Sequence, residues 1–171
     1  MRTNRLFLPI LLALGLLAAP AAAQGFVSVL GGAGYGTAQE QLGLGWSWHP
    51  GLLPDDGHWV SYWEASLARW NGPGSNHLWD AGLTPYLRYQ FSGTSGWYAE
   101  AGFGVHYLSR HYERSGGRSA TLYQFGSVLA AGYRFAGGSD VALRAAHISN
   151  AGLREPNPGI SFVQLRYQYW F

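Results

Sequence analysis

The residues best suited to chemistry lie near the C-terminal end of the 171-residue chain, in His147-Ile148-Ser149-Asn150-Ala151-Gly152-Leu153, followed by Pro156-Asn157-Pro158-Gly159. A serine hydroxyl becomes a nucleophile when a neighbouring base takes its proton, and imidazole is such a base. His147 and Ser149 are two apart, so on a strand they share one face. Their parity is that of Val141, Leu143 and Ala145, an apolar series. Polar groups on an apolar face are costly unless they find partners. A hydrogen-bonded Ser–His pair poised for ester hydrolysis would answer that cost. The spacing alone is a weak signal for that and fits better an interfacial pair whose polar tips reach toward water.

Other candidate groups read as structure. Asp55-Asp56-Gly57-His58 holds metal-ligating types, but Asp-Gly favours a solvated turn. His106 and His111 fall at a strand end and in a loop, without ligand spacing. The run Gly31-Gly32-Ala33-Gly34-Tyr35-Gly36 precedes no helix that could offer amides to a phosphate, so strand packing and a turn account for it. No metal or cofactor is therefore expected. Nucleic acid is not expected as a partner either, because there is no basic run. The formal charge of +2 depends on Arg2 and Arg5, and without them nine basic residues balance nine acidic ones.

The elements that must hold His147 and Ser149 are legible in composition and alternation. The chain is 47% hydrophobic, 16% aromatic and only 12% charged, with 25 Gly and no Cys. Disordered chains are charged and poor in aromatics, and a disulfide scaffold needs cysteines. Arg2 and Arg5, the apolar run from Leu6 to Leu17 and the small residues Ala21-Ala22-Ala23 form the layout of a secretory signal peptide over residues 1–23, cut near Ala23. Residues 24–171 then form one domain. Beyond the leader the pattern has period two, broken by Gly, Pro, Asn and Ser clusters. Val163, Leu165, Tyr167, Tyr169 and Phe171 share one face, with Gln164, Arg166 and Gln168 on the other. The same alternation predicts eight strands, at 27–34, 40–48, 58–69, 77–91, 97–107, 122–135, 139–149 and 161–171. Most approach the roughly 9–11 residues of a tilted membrane-crossing strand.

These strands predict an all-β fold, an eight-stranded antiparallel transmembrane β-barrel of the outer-membrane type. A soluble barrel would put the apolar face inside. Here that face carries more large aromatics than a narrow interior is expected to hold, and they gather toward strand ends as interfacial girdles do. The other face carries Glu64, Asp80, Glu100, Arg88, Arg134, Arg144 and Arg166, a set able to pair inside a small barrel and leave no pore. The chain ends in Tyr-Trp-Phe, which resembles the C-terminal signature of bacterial outer-membrane barrels. With termini in the periplasm, Ser109–Ala120 and Asn150–Ile160 become outer loops. His147 and Ser149 then lie just below a loop, at the height of outer-leaflet ester bonds.

The segment His-x-Ser-Asn-Ala-Gly-Leu with Pro-Asn-x-Gly closely resembles the lipid A 3-O-deacylases of Gram-negative outer membranes, the PagL family. Leu44-Gly45-Trp46-Ser47-Trp48, Tyr62-Trp63-Glu64-Ala65 and Glu100-Ala101-Gly102-Phe103-Gly104-Val105 resemble that family's earlier strands. The likeness covers essentially all of the chain after the leader and is most specific in the last two strands. It implies an enzyme of the cell outer membrane that removes the 3-position hydroxyacyl chain of lipid A, with lipopolysaccharide as substrate and outer-membrane lipids as surroundings. It implies Ser149 as nucleophile, His147 as general base and Asn150 as oxyanion support. A homodimer is compatible with such a barrel. The family carries a Glu where this chain has Ser161. Ser161 itself, or Glu155 from the preceding loop, are the candidates to orient His147. That departure keeps a second expectation open, a non-enzymatic structural or adhesive barrel or one with degraded activity. A third is an acyl-adding barrel of the palmitoyltransferase type.

Overall fold

Alternating strands can bury one face by curling the sheet onto itself, and in the computed structural model the sheet closes completely. The structure describes residues 24–115 and 117–171. The leader assigned to residues 1–23 lies outside them. In chain order the strands are β1 (Gly25–Gly34), β2 (Thr37–Trp48), β3 (Trp59–Asn71), β4 (Leu78–Gln90), β5 (Gly96–Leu108), β6 (Glu113–Arg114), β7 (Gly117–Arg118), β8 (Tyr123–Arg134), β9 (Ser139–Ser149) and β10 (Ile160–Trp170). Eight of them close an antiparallel barrel in the order β1-β10-β9-β8-β5-β4-β3-β2. The short pair β6–β7 forms a hairpin inside the loop between β5 and β8. All eight predicted strands are present, with ends displaced by at most a few residues.

The outer wall is apolar. Leu129, Leu143, Val163 and Leu165 stand more than 60% exposed. Aromatic pairs ring both ends: Trp97 against Tyr133 near the termini, Tyr107 against Tyr123 near the long loops. This inverts a soluble barrel and suits a lipid surround.

The interior is packed. Arg88 pairs with Glu100 at 2.9 Å and Asp140 at 3.0 Å. Arg166 pairs with the same two carboxylates at 2.8 and 3.5 Å, and Arg144 approaches Glu64 at 3.7 Å. Asp80 is matched by His106 at 2.8 Å. Six of the seven predicted polar residues thus meet inside, joined by Asp140, which the sequence reading left out, while Arg134 is half-buried over the Trp170 ring. Large aromatics stand mainly on the outer wall, as expected, yet the narrow interior holds more of them than the sequence reading allowed. Phe26, Tyr62, Trp70, Tyr86, Tyr98, Phe162 and Trp170 are all buried. Inward-facing glycines make the space: a Cβ on Gly45, Gly102 or Gly132 would collide with Phe26, Tyr86 or Tyr98 respectively. At the loop end, Trp70, Leu78, Leu108, Tyr112, Ile148, Ile160 and Phe162 form an apolar plug.

Candidate active site

Register decides who meets whom on the outer wall. In the β9–β10 ladder His147 is directly opposite Ser161, and in the β8–β9 ladder it is directly opposite Ser127. Opposed residues in an antiparallel pair bring their Cβ atoms to about 4.5–5.5 Å on one face. Three polar side chains therefore sit in a row across an otherwise apolar wall. Ser127 is exposed, and it interrupts the outward series Tyr123, Phe125, Leu129, Ala131, Tyr133. That interruption is the signal that could have singled it out from the sequence.

His147 Nδ1 and Ser161 Oγ are 2.8 Å apart. With the proton on Nδ1 the ring donates to the Ser161 hydroxyl, and Nε2 is left as the basic nitrogen. The Nε2 edge and Ser149 converge on Gly159. A Cβ built on Gly159 would be 2.8 Å from His147 Cε1, 3.0 Å from Nε2 and 3.6 Å from Ser149 Cβ. No hydrogen bond joins Ser149 Oγ to the ring in this structure. Such bonds commonly tighten only when substrate is bound. Gly159 adopts φ +54°, a left-handed conformation that glycine takes without steric cost. Both its missing Cβ and its backbone angle are used at this position.

Asn150 is buried and fully engaged in the loop. Its Nδ2 donates to the Arg154 carbonyl at 2.7 Å, its Oδ1 accepts from the Gly152 N–H at 3.0 Å, and its own N–H donates to Asn157 Oδ1 at 3.1 Å. The Leu153 N–H returns to the Asn150 carbonyl at 3.1 Å. Ala151 and Gly152, at φ +56° and +76°, form the tip of that turn. A non-glycine residue at positive φ is uncommon, and the Ala151 N–H makes no hydrogen bond among the described residues. Glu155 turns its carboxylate to the Asn157 N–H at 2.8 Å, and it makes no hydrogen bond to His147.

Below His147 and Ser161 a groove of about 760 Å³ runs along the wall. It exists because the outward residues there are small: Ala33, Ala101, Ser127 and Ala145, with Tyr35 beside them and Leu129 and Val163 at its margins. At the loop end the buried Tyr112 hydroxyl lies beside the Gly159 backbone without a full hydrogen bond. Burial pushes its pKa up to about 12.

The remaining candidates stay apart from this site. Asp56 Oδ1 accepts the His58 N–H at 2.9 Å in the turn between β2 and β3, with Gly57 at φ +75°. His106 is inside the barrel on Asp80, and His111 Nδ1 is 2.6 Å from the Ser119 carbonyl. The glycine run is the end of β1, and Tyr35 and Gly36 at φ +51° and +74° make the turn into β2. Among the described residues no cluster of three or more His, Cys, Asp or Glu could hold a metal.

Comparison with known proteins identifies the family. The family model for the lipid A 3-O-deacylase PagL matches residues 34–170. The chain is 38% identical over 120 residues to the lipid A deacylase PagL of Bordetella bronchiseptica, an alignment covering 70% of this chain and 62% of the relative. It is 34% identical over 147 residues to the lipid A deacylase PagL of Pseudomonas aeruginosa, covering 82% of this chain and 83% of that one. Among solved structures, the crystal structure of the outer membrane enzyme PagL superposes with a TM-score of 0.75 at 31% identity, covering 84% of this chain and 98% of the other. The N-terminal barrel of Pseudomonas aeruginosa OprF, at a TM-score of 0.56 and 14% identity with 86% of this chain and 97% of that one covered, shares the fold alone. The match extends across β2 to β10 and includes the His147–Ser149 segment, so this outer-membrane barrel belongs to the lipid A 3-O-deacylase (PagL) family.

Proposed function

We propose that this chain hydrolyses the ester at the 3-position of lipid A in the outer leaflet, with Ser149 as nucleophile and His147 as general base. The observation that carries this reading is the placement of His147 on the outer wall. Its Nδ1 is held by Ser161 at 2.8 Å, its Nε2 and Ser149 Cβ both border the space beside Gly159, and an apolar groove begins at its side. A leader at residues 1–23 would deliver the chain to the outer membrane, with the termini in the periplasm and the site at outer-leaflet depth.

The chemistry follows from the donors and acceptors present. The acyl chain lies in the groove, with its carbonyl beside Ser149. As Ser149 Oγ attacks the carbonyl carbon, its proton passes to His147 Nε2. The tetrahedral oxyanion takes the free Ala151 N–H, and Asn150 serves by holding the turn that presents that donor. Preorganised N–H groups aimed at developing charge are commonly the largest single catalytic contribution. The sugar 3-oxygen leaves with the proton from His147. Water then attacks the acyl-serine, gives a proton to His147 and releases the fatty acid, and Ser149 recovers its proton.

Mass spectrometry of lipid A from cells expressing the protein tests the reading. Loss of one hydroxyacyl mass with the wild-type chain, and not with Ser149→Ala, is expected. Unchanged lipid A from a folded, membrane-inserted wild-type chain would favour a barrel without this activity. Lipid A heavier by one acyl chain would favour the acyl-adding alternative.

A further inference from the structure

The groups that orient His147 are weaker at Nδ1 than a carboxylate would be. A serine hydroxyl fixes the tautomer, but it carries no charge and rotates freely. What then fixes the ring is the surface against its other edge, and that surface is Gly159. Gly159 is held in place from the next loop. Arg114 donates through NH1 to the Pro158 carbonyl at 3.2 Å and to the Gly159 carbonyl. The same guanidinium sits over the Tyr35 ring, its central carbon 3.6 Å from the ring centre, and Tyr35 lines the groove below His147. The base of this brace is fixed as well. Asn76, buried in the loop between β3 and β4, accepts the Glu113 N–H at 2.8 Å and donates to the Glu113 carbonyl at 3.0 Å. The hairpin that carries Arg114 is thus pinned one residue before it. Three loops converge on the Gly159 peptide, and Arg114 is the side chain that hydrogen-bonds it, with the Tyr112 hydroxyl beside it.

We propose that Arg114 is a positioning residue for the Ser149–His147 pair. By holding the Gly159 carbonyl from the solvent side and Tyr35 from the groove side, it keeps the Gly159 Cα against the imidazole. That contact directs Nε2 toward Ser149. The inference rests on the Ser149–His147 reading above and adds to it a residue 45 positions upstream of Gly159. Its physical basis is that misplacing a reacting group by about 1 Å can cost up to about a hundredfold in rate.

The test uses the full chain refolded in detergent micelles, with the folded fraction taken from heat-modifiable gel migration. Two quantities are read on wild type, Arg114→Ala and Arg114→Lys: the rate of covalent labelling of Ser149 by a fluorophosphonate, and kcat and KM on a soluble p-nitrophenyl ester. Arg114→Ala is expected to lower the labelling rate and kcat together, by about tenfold to a hundredfold, with KM within about twofold. Arg114→Lys should recover part of the loss, because an ammonium can reach one carbonyl but lacks the guanidinium's several donors and broad face toward Tyr35. A folded Arg114→Ala protein that labels and turns over the small ester at the wild-type rate overturns the proposal. That holds even if its activity on lipid A falls, since Arg114 would then be a headgroup contact. Ser149→Ala separates the two levels. If that variant still labels and hydrolyses, the Ser149 reading itself fails and takes this inference with it.

Discussion

Ser161 is where this chain departs from the carboxylate that the family resemblance implies, and the consequence is electrostatic. A hydroxyl 2.8 Å from Nδ1 can accept a hydrogen bond from the ring, but it cannot stabilise the imidazolium that the proposed mechanism forms. Hydrogen bonds to charged groups contribute about 1.5–3 kcal/mol, against about 0.5–1.5 for neutral ones. Ser161→Glu is therefore expected to raise kcat on a soluble ester by about tenfold, and Ser161→Ala to lower it by a similar factor, since the tautomer is no longer held. Steady-state kinetics of the two variants beside wild type check both directions. A Glu variant no faster than wild type would mean that Gly159 and its brace already fix the ring. Asn150 gives a second lesson at this scale. Its side chain is consumed by Arg154 and Gly152, so its contribution passes through the turn it builds.

The site belongs to elements as much as to residues. β8, β9 and β10 place Ser127, His147 and Ser161 in one row, and a one-residue slip in either ladder would turn His147 into the interior. The groove below is likewise an element property. Alanines at 101 and 145 leave room between Leu129 and Val163. Ala145 is two residues before His147, and its neighbours across the ladders are those same two side chains. Ala145→Leu should fill the upper groove and shift the preference toward shorter acyl chains. The ratio of long-chain to short-chain ester hydrolysis should fall about tenfold or more, in line with the 1–3 kcal/mol carried by a methylene in an apolar pocket. A comparison of p-nitrophenyl esters of graded length reads this directly. An unchanged ratio would place the acyl chain elsewhere on the wall.

For the whole molecule, the question is what keeps a thin-walled barrel rigid enough to hold such a site on its outside. The answer is the filled interior. Arg88 and Arg166 share Glu100 and Asp140, Tyr62 and Tyr98 hydroxyls accept from Arg166 at 3.0 and 3.2 Å, and glycines opposite the aromatics let the layers interdigitate. Removing one partner from a buried network leaves charge uncompensated and commonly costs about 3–5 kcal/mol. Arg166→Met is expected to lose stability of that order, read as a lower urea midpoint for unfolding from lipid vesicles. A midpoint within error of wild type would mean that Arg88 alone satisfies both carboxylates. The loop end is closed by the apolar plug around Trp70 and Phe162, which supports the base of the loops that carry Arg114 and Gly159.

The motif around His147 and Ser149 offered the candidate pair through a family resemblance, and the sequence by itself determined the strand count, the face each strand turns to lipid and most of the polar filling. Those features rest on period-two alternation, a local property that a single chain displays without its neighbours. The tertiary structure alone decided which side chains meet across strands. Ser161 and Ser127 flank His147 because of register, and register is a relation between strands. Gly159 and Arg114 act on the pair through loop contacts between distant segments, which carry no periodic signal. Asp140 and the buried aromatics were missed for a related reason. Whether a bulky or charged residue fits inside a narrow barrel depends on the glycine facing it from another strand, as Gly102 faces Tyr86 and Gly132 faces Tyr98.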